Sequence, residues 1–423
     1  MNKVFITIIY IVASLTLSAQ TTLEQCQQAV VRNYPLIKQR DLISRTTQYT
    51  VANIKKGWLP QVSASAQATL QSDVASWPDE MEPFMTQMGV DMKGLKKDQY
   101  RVGIDLSQTI YDGGSIASQT AIAREQGNVQ VAQNEVNLYT VRMRVNDLYF
   151  ALLLVNEHQK LNQDLQQLLE GNEQKLASMF KRGTASESDY NSVKAERLNA
   201  TQQGIQLAAQ QQALSRMLST LCGIEVNEVQ KPPIVETSTV NLRPELQLID
   251  AQLRLTEAQK QSIDAAMRPK LSLFAQGFYG YPGYNMFNDM MHHSWSLNGM
   301  IGARFTWNIA PLYTRKNDLA KLKLQRAQVE NNRELFLLNN NLEQIEHSEN
   351  VQRYCKMMET DSEIIDLRTK VRRSAESKLS HGIIDVNELI KEINNENAAR
   401  VQQSIHETEM LKELYDLKYA NNN

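Results

Sequence analysis

The residue types best suited to soft-metal chemistry gather in two places. Met81, Met85, Met88 and Met92 step by four, three and four, and Met286, Met290, Met291, His292 and His293 lie together further on. Thioether and imidazole are ligands for soft metals. Methionines at such spacing also fill irregular apolar contacts, and packing is the reading taken here, with no metal assigned. Cys26, Cys222 and Cys355 are odd in number and widely spread. They make neither a metal spacing nor a disulfide framework, and Cys222 and Cys355, among Leu and Met, read as small core hydrophobes. His406-Glu407 lacks the second histidine of a zinc-binding helix, and no glycine-rich phosphate cradle is present. The chain is read as a non-enzyme without a cofactor.

A second set of charges, Arg101, Asp105 and Arg304, lies inside runs that alternate apolar and polar. Tyr100, Val102, Ile104 and Leu106 share one face of such a run, and Arg101, Gly103, Asp105 and Ser107 share the other. Leu297, Gly299, Ile301, Ala303, Phe305 and Trp307 oppose Ser296, Asn298, Gly302, Arg304 and Thr306. Strands are expected near 61–70, 100–110, 270–280 and 296–307. Runs of about ten alternating residues have the length of a transmembrane β-strand, and equally of a half-buried soluble hairpin. In a membrane, the three charges must face away from lipid, since Arg at midplane costs about 2–4 kcal/mol. Asp105 and Arg304 could then pair across a barrel lumen.

The elements that position these residues occur twice. Pro35 and Pro60 are 25 apart, as are Pro244 and Pro269, and Pro60-Gln-Val-Ser-Ala-Ser-Ala-Gln67 matches Pro269-Lys-Leu-Ser-Leu-Phe-Ala-Gln276 at an offset of 209. Val102-Gly103 matches Ile301-Gly302 at 199, and Gly183 matches Gly382 at the same 199. A ten-residue indel in the first loop explains the change. Residues 20–230 and 231–423 thus read as two structural repeats, each helix, strand, loop, strand, very long helix, turn and long helix. The first helix is expected from Leu23 to Trp58, capped by Thr21 or Thr22.

From Ser115 to Gly183 no proline intervenes. The span is about 68 residues, or roughly 100 Å of helix. Val141, Val145, Leu148, Leu152 and Val155 step by four, three, four and three, and Leu338, Leu342 and Ile345 repeat the heptad pattern, which argues for coiled-coil packing. Both long helices turn at a glycine suited to positive φ: Arg182-Gly183-Thr184 and His381-Gly382-Ile383.

Bulk properties set the compartment. The 423 residues carry a formal net charge of −2, with no polybasic signature for nucleic acid. Lys3, an apolar run from Val4 to Leu17 and the small residue Ala19 read as a signal peptide over 1–19, an uncleaved anchor being the alternative. No later stretch is apolar enough for a membrane helix, so any bilayer contact must be made by strands. Four strands cannot close a barrel alone; a trimer would pool twelve.

This arrangement resembles the TolC-like outer membrane efflux family. The matching elements are Asn33-Tyr34-Pro35, Pro60 and Pro269 entering strands, Val102-Gly103-Ile104, Ile301-Gly302-Ala303, Trp307-Asn308-Ile309 and the two glycine tips. The resemblance implies a mainly α chain with a small β part, a helical coiled-coil barrel in the periplasm and a trimeric, twelve-stranded barrel in outer-membrane lipid. It implies a passive exit duct for efflux or secretion. It also implies docking of a periplasmic adaptor (membrane fusion) protein and an inner-membrane pump through tips at Arg182, Gly183, Thr184, Gly382 and Ile383. Asp189 and Glu388 lie six residues past the tip glycines. By resemblance, Glu388, with Asp385 and Asp189 as weaker candidates, is expected at a periplasmic constriction, where three carboxylates would favour cations; Lys391 could neutralise them. The rival class is a structural or adhesive coiled-coil protein without a channel.

Overall fold

The computed structural model describes residues 20–90, 94–236 and 240–421; the expected signal peptide and Met92 lie outside them. The chain order is α1 (Leu23–Asn33), α2 (Pro35–Lys55), β1 (Gln61–Leu70), α3 (Glu82–Gln87), β2 (Asp98–Tyr111), α4 (Ser115–Lys181), α5 (Glu187–Cys222), α6 (Pro244–Ala266), β3 (Lys270–Tyr281), α7 (Met286–His292), β4 (Ser296–Thr306), α8 (Pro311–Ser380) and α9 (Val386–Ala420). Contacts divide the chain into two compact units. One holds residues up to Asp41, Ala132–Gln247 and Arg333–Asn423; the other holds Leu42–Val131 and Leu248–Asn332.

Thr22 caps α1 through a capping box with Gln25, the arrangement that satisfies two orphan amide donors reciprocally. The expected continuous helix from Leu23 to Trp58 is broken at Tyr34, whose ψ is 139°. Pro35 forces this: its ring crowds the preceding residue out of the helical region, while proline itself fits a first helical turn.

The second unit contains one antiparallel sheet of order β1-β2-β3-β4. Ala66 faces Val102, which faces Tyr279; Ile301 faces Ala275, which faces Leu106. Strand β2 passes into α4 at Asp112, whose carboxylate accepts from the Gly114 N–H at 2.8 Å and the Ile116 N–H at 2.5 Å. Gly113, at φ 70°, has no room for a side chain there: a Cβ would meet Arg268 Cβ at 2.8 Å.

The core of the first unit is built on α1, α4, α5, α8 and α9. Its main core joins Leu23, Cys26 and Val30 of α1, Val145, Tyr149, Phe150 and Leu152 of α4, Leu218 and Cys222 of α5, and Leu411 and Tyr415 of α9. Nearer the turns, Leu165 and Leu169 of α4 meet Ala200 of α5, Ala375 of α8, and Leu389 and Ile393 of α9. Cys222 is core, as expected, but Cys355 is exposed and Cys26 is buried: Cys355 sits on a face of α8 that no other described residue buries.

The two hairpins carry the same ion pair with its polarity reversed. Arg197 of α5 meets Glu173 of α4 at 2.5 Å. At the positions 199 further on, Arg372 of α8 meets Glu396 of α9. Glu396 also accepts from Thr369 and Arg400. Burial pushes its carboxyl up, but these hydrogen bonds outweigh it and leave Glu396 below the usual carboxylate range. Its stabilising share is therefore present above the unfolded-state value and is lost as pH falls through the lower folded-state value.

The reversal generates a rescue experiment. Arg197→Glu places two carboxylates together and is expected to destabilise the fold by about 1.5–3 kcal/mol, the range for a hydrogen bond to a charged group. Glu173→Arg with Arg197→Glu recreates the polarity of the second hairpin and should recover most of the loss, read as the thermal unfolding temperature.

Candidate functional site

The sheet's chemistry is set by the alternation of its strands. Register places Val62, Ala64, Ala66 and Ala68 beside Leu106, Ile104, Val102 and Tyr100. The same face continues through Ala275, Leu273 and Leu271 to Ile301, Ala303 and Phe305. Apart from Gln108, which is paired with Leu273, this face is apolar, and it is exposed: Leu297 and Ile301 are each 82% exposed. Tyr100, Tyr279 and Trp295 stack together at one end of it, with ring centroids 6.0 and 5.4 Å apart. Trp58, Trp307 and Tyr111 are exposed at the other end. An apolar band between aromatic rows is how a lipid-facing barrel surface is built.

The opposite face carries Gln61, Ser63, Ser65 and Gln67, and all three charges expected there. Arg101 lies over the Phe278 ring at 3.9 Å and Arg304 over Phe274 at 4.9 Å. Asp105 accepts from the Gln276 amide. Asp105 and Arg304 do not meet within one chain. Strand β3 lies between them, and register sets Asp105 against Gln276 and Arg304 against Ser272. The partners Phe274, Gln276 and Phe278 were missed in the sequence, although each shares the alternation parity of this face.

The helical turns are a separate site. Gly183 and Gly382 have φ of 74° and 71°, with open space where a side chain would begin. The Gly183 N–H donates to Phe180 and the Thr184 N–H to Met179, both at 2.9 Å; in the second turn the Gly382 N–H donates to Leu379 at 3.0 Å and the Ile383 N–H to Lys378 at 2.9 Å. These are paired Schellman closures, which require a left-handed residue. The Arg182 Nε–H donates to the Ser178 carbonyl at 3.2 Å, the Thr184 hydroxyl caps Met179 at 3.1 Å, and Ile383 is exposed.

The three carboxylates near the tips differ in what they do. Asp189 accepts from the Ser186 N–H at 2.9 Å and so completes a capping box on α5. Asp385 caps α9, accepting from the Glu388 N–H at 2.9 Å. The Glu388 side chain is exposed.

In the loops, Met290 packs with Leu95 and Tyr281, and a His293 ring nitrogen lies 2.6 Å from the Gly94 carbonyl. Among the described residues no group of three or more His, Cys, Asp or Glu side chains could hold a metal ion, and no helix is long and apolar enough to cross a membrane.

A four-stranded sheet with a lipid-type face, carried with helices of 67 and 70 residues, defines the fold of the outer-membrane channel-tunnels. Solved structures of that kind share it. The outer membrane protein VceC from Vibrio cholerae is 11% identical, with 94% of this chain and 96% of that one covered and a TM-score of 0.68. The Neisseria gonorrhoeae MtrE outer membrane channel in its open state is 16% identical, with 94% and 88% covered and a TM-score of 0.68. CusC is 10% identical, with 95% and 92% covered and a TM-score of 0.71. No curated protein matches the sequence significantly. Residues 17–224 match the model of the outer membrane efflux protein family, the TolC-like family to which the sequence features point. The family match and the shared fold support an efflux or secretion exit duct of the outer membrane; the structural or adhesive coiled-coil reading finds no support.

The two faces of the sheet predict opposite tolerances. Ile301→Arg is expected to cost about 2–4 kcal/mol and to lower the amount of protein in the outer membrane, whereas Ser65→Arg, on the polar face, should leave it unchanged. Quantitative blotting of membrane fractions distinguishes the two.

Proposed function

We propose that three copies of this chain assemble into a duct whose twelve-stranded barrel spans the outer membrane. We further propose that the helical tips seat a periplasmic adaptor, which in turn joins an inner-membrane pump. The observation that carries this reading is the open sheet: β1 and β4 each have one unpaired edge within the chain, on a face built for lipid. Unpaired backbone groups in hydrocarbon cost several kcal/mol each, so the edges need neighbours, and identical chains arranged in a ring supply them.

The helices support the same stoichiometric demand. The heptad residues Val145 and Leu152 of α4 are fully buried within the chain, whereas Leu338, Leu342 and Ile345 of α8 are 57, 55 and 52% exposed. A row of large apolar residues at helical spacing is a coiled-coil seam, and the α8 seam stays more than half exposed among the described residues. A second chain covers it.

In this reading the protein is passive and has no enzymatic step: energy comes from the pump and cargo choice lies there too. The repeats, 20–230 and 231–423, give each protomer two hairpin tips whose second helices start at Glu187 and Val386, the same 199 apart as the glycines. Six tips per trimer then end level, which suits a docking ring. Glu388, the tip carboxylate without a capping role through its side chain, is placed at the constriction; Asp189 and Asp385 serve chiefly as helix caps.

Three outcomes test the proposal. Outer-membrane fractions should contain a heat-dissociable trimer, and Leu338→Glu with Leu342→Glu should abolish it; a monomer in the wild type would sink the reading. Gly183→Val or Gly382→Val, a β-branched residue at positive φ costing about 1–2 kcal/mol, should reduce export while the trimer persists; undiminished export in cells that depend on this duct would remove the tips from docking. Glu388→Gln should lower cation preference in single-channel recordings, and an unchanged reversal potential would take Glu388 out of the constriction.

A further inference from the structure

Cys26, on α1, and Cys222, the last residue of α5, are both fully buried in the same core cluster. The neighbouring Cys222 pushes the Cys26 thiol up, and Cys26 pushes that of Cys222 down. The chain is fixed in this register on both sides of the pair. The Asn33 side-chain amide donates to the Cys222 carbonyl at 3.0 Å. On the other side, the Thr21 N–H donates to Glu228 at 2.9 Å and the Gln230 N–H donates to Thr21 at 3.2 Å. The Tyr149 hydroxyl bridges this strand-like crossing, 2.9 Å from the Thr21 carbonyl and 2.5 Å from that of Gln230. Cys355, by contrast, is exposed and stands apart.

We propose that Cys26 and Cys222 are joined by a disulfide in the mature protein, stapling α1 to the end of α5. The inference rests on the outer-membrane reading, because a chain bound there folds in an oxidising compartment. The step needs an oxidant, which is a protein disulfide donor. One cysteine thiolate attacks a donor sulfur and forms a mixed disulfide. The second thiolate then displaces the donor. The Cys26–Cys222 bond forms, two protons leave the thiols, and two electrons reduce the donor's disulfide to a dithiol.

The timing follows from burial. Both cysteines are fully buried, so the closed core gives a disulfide donor no access to either sulfur. Exchange therefore precedes final packing, and the finished bond is shielded from reductants. The loop it closes runs through β1, β2, α4 and α5, and constraining so long a loop restricts the unfolded chain. The second half has no such staple: Val235 and Asn421 stand at the positions 209 and 199 further on, and there the Leu242 N–H donates to the Asn421 carbonyl at 2.8 Å.

The test uses full-length protein from the outer-membrane fraction, quenched in acid, denatured and alkylated before and after reduction. One alkylated cysteine, Cys355, is expected before reduction and all three after it, with the peptides carrying Cys26 and Cys222 linked in an unreduced digest. Three alkylated cysteines before reduction, in protein that has reached the outer membrane, would overturn the disulfide and leave the duct reading intact. Protein absent from that fraction would remove both. Reductant added during unfolding should lower the dissociation temperature of the wild-type assembly but not that of Cys26→Ala with Cys222→Ala; equal loss in both, or loss in neither, would also overturn the staple.

Discussion

Every peptide group placed in hydrocarbon must find a hydrogen-bond partner, because no water is present to supply one. That constraint governs the rest of this molecule. Strands β2 and β3 are paired on both sides, while β1 and β4 are paired on one. The chain therefore carries a sheet that is chemically incomplete, yet bears a continuous apolar face from Val62 to Phe305. The proposed completion by other copies would meet both facts at once. The pairing of β2 with β3 also means that the strands of the two sequence halves meet in one sheet, with α4, α5 and α6 lying between them in the chain.

The helical part answers a different constraint. A helix satisfies its own backbone, so its partners are decided by side chains alone. Helix α4 spends its heptad seam inside the protomer, and α8 leaves its own uncovered. Two segments of common pattern thus end differently, one buried within the protomer and one left exposed. The Glu173–Arg197 and Arg372–Glu396 pairs make the same point in charge: corresponding sites keep an ion pair at the level of the hairpin but not the sign on each helix. What the hairpin requires is neutralisation of two facing, largely buried groups, and either polarity provides it.

Short-range features were legible in the residues. The period-two alternation located the strands, since a pleated sheet with two unlike faces leaves no other pattern. Gly183 and Gly382 marked the tips because a Schellman turn needs positive φ. Asp112-Gly113-Gly114 marked the strand-to-helix corner. The break at Tyr34 was also written in the sequence, in the proline that follows it, although the apolar periodicity on either side suggested a single helix.

By itself, then, the sequence determined period, punctuation and repetition: which residues alternate, where helices must stop, and that two halves share an order. Only the tertiary structure decided which members of these patterns meet. It buried Cys26 and Cys222 in one core and left Cys355 exposed, set Asp105 against Gln276 within the chain, and gave Asp189 a helix cap. The physical reason is separation along the chain. Periodicity and turn chemistry act over a few residues and recur in any neighbourhood, whereas a contact such as Cys26 with Cys222 depends on how distant helices pack, and nothing local encodes its register.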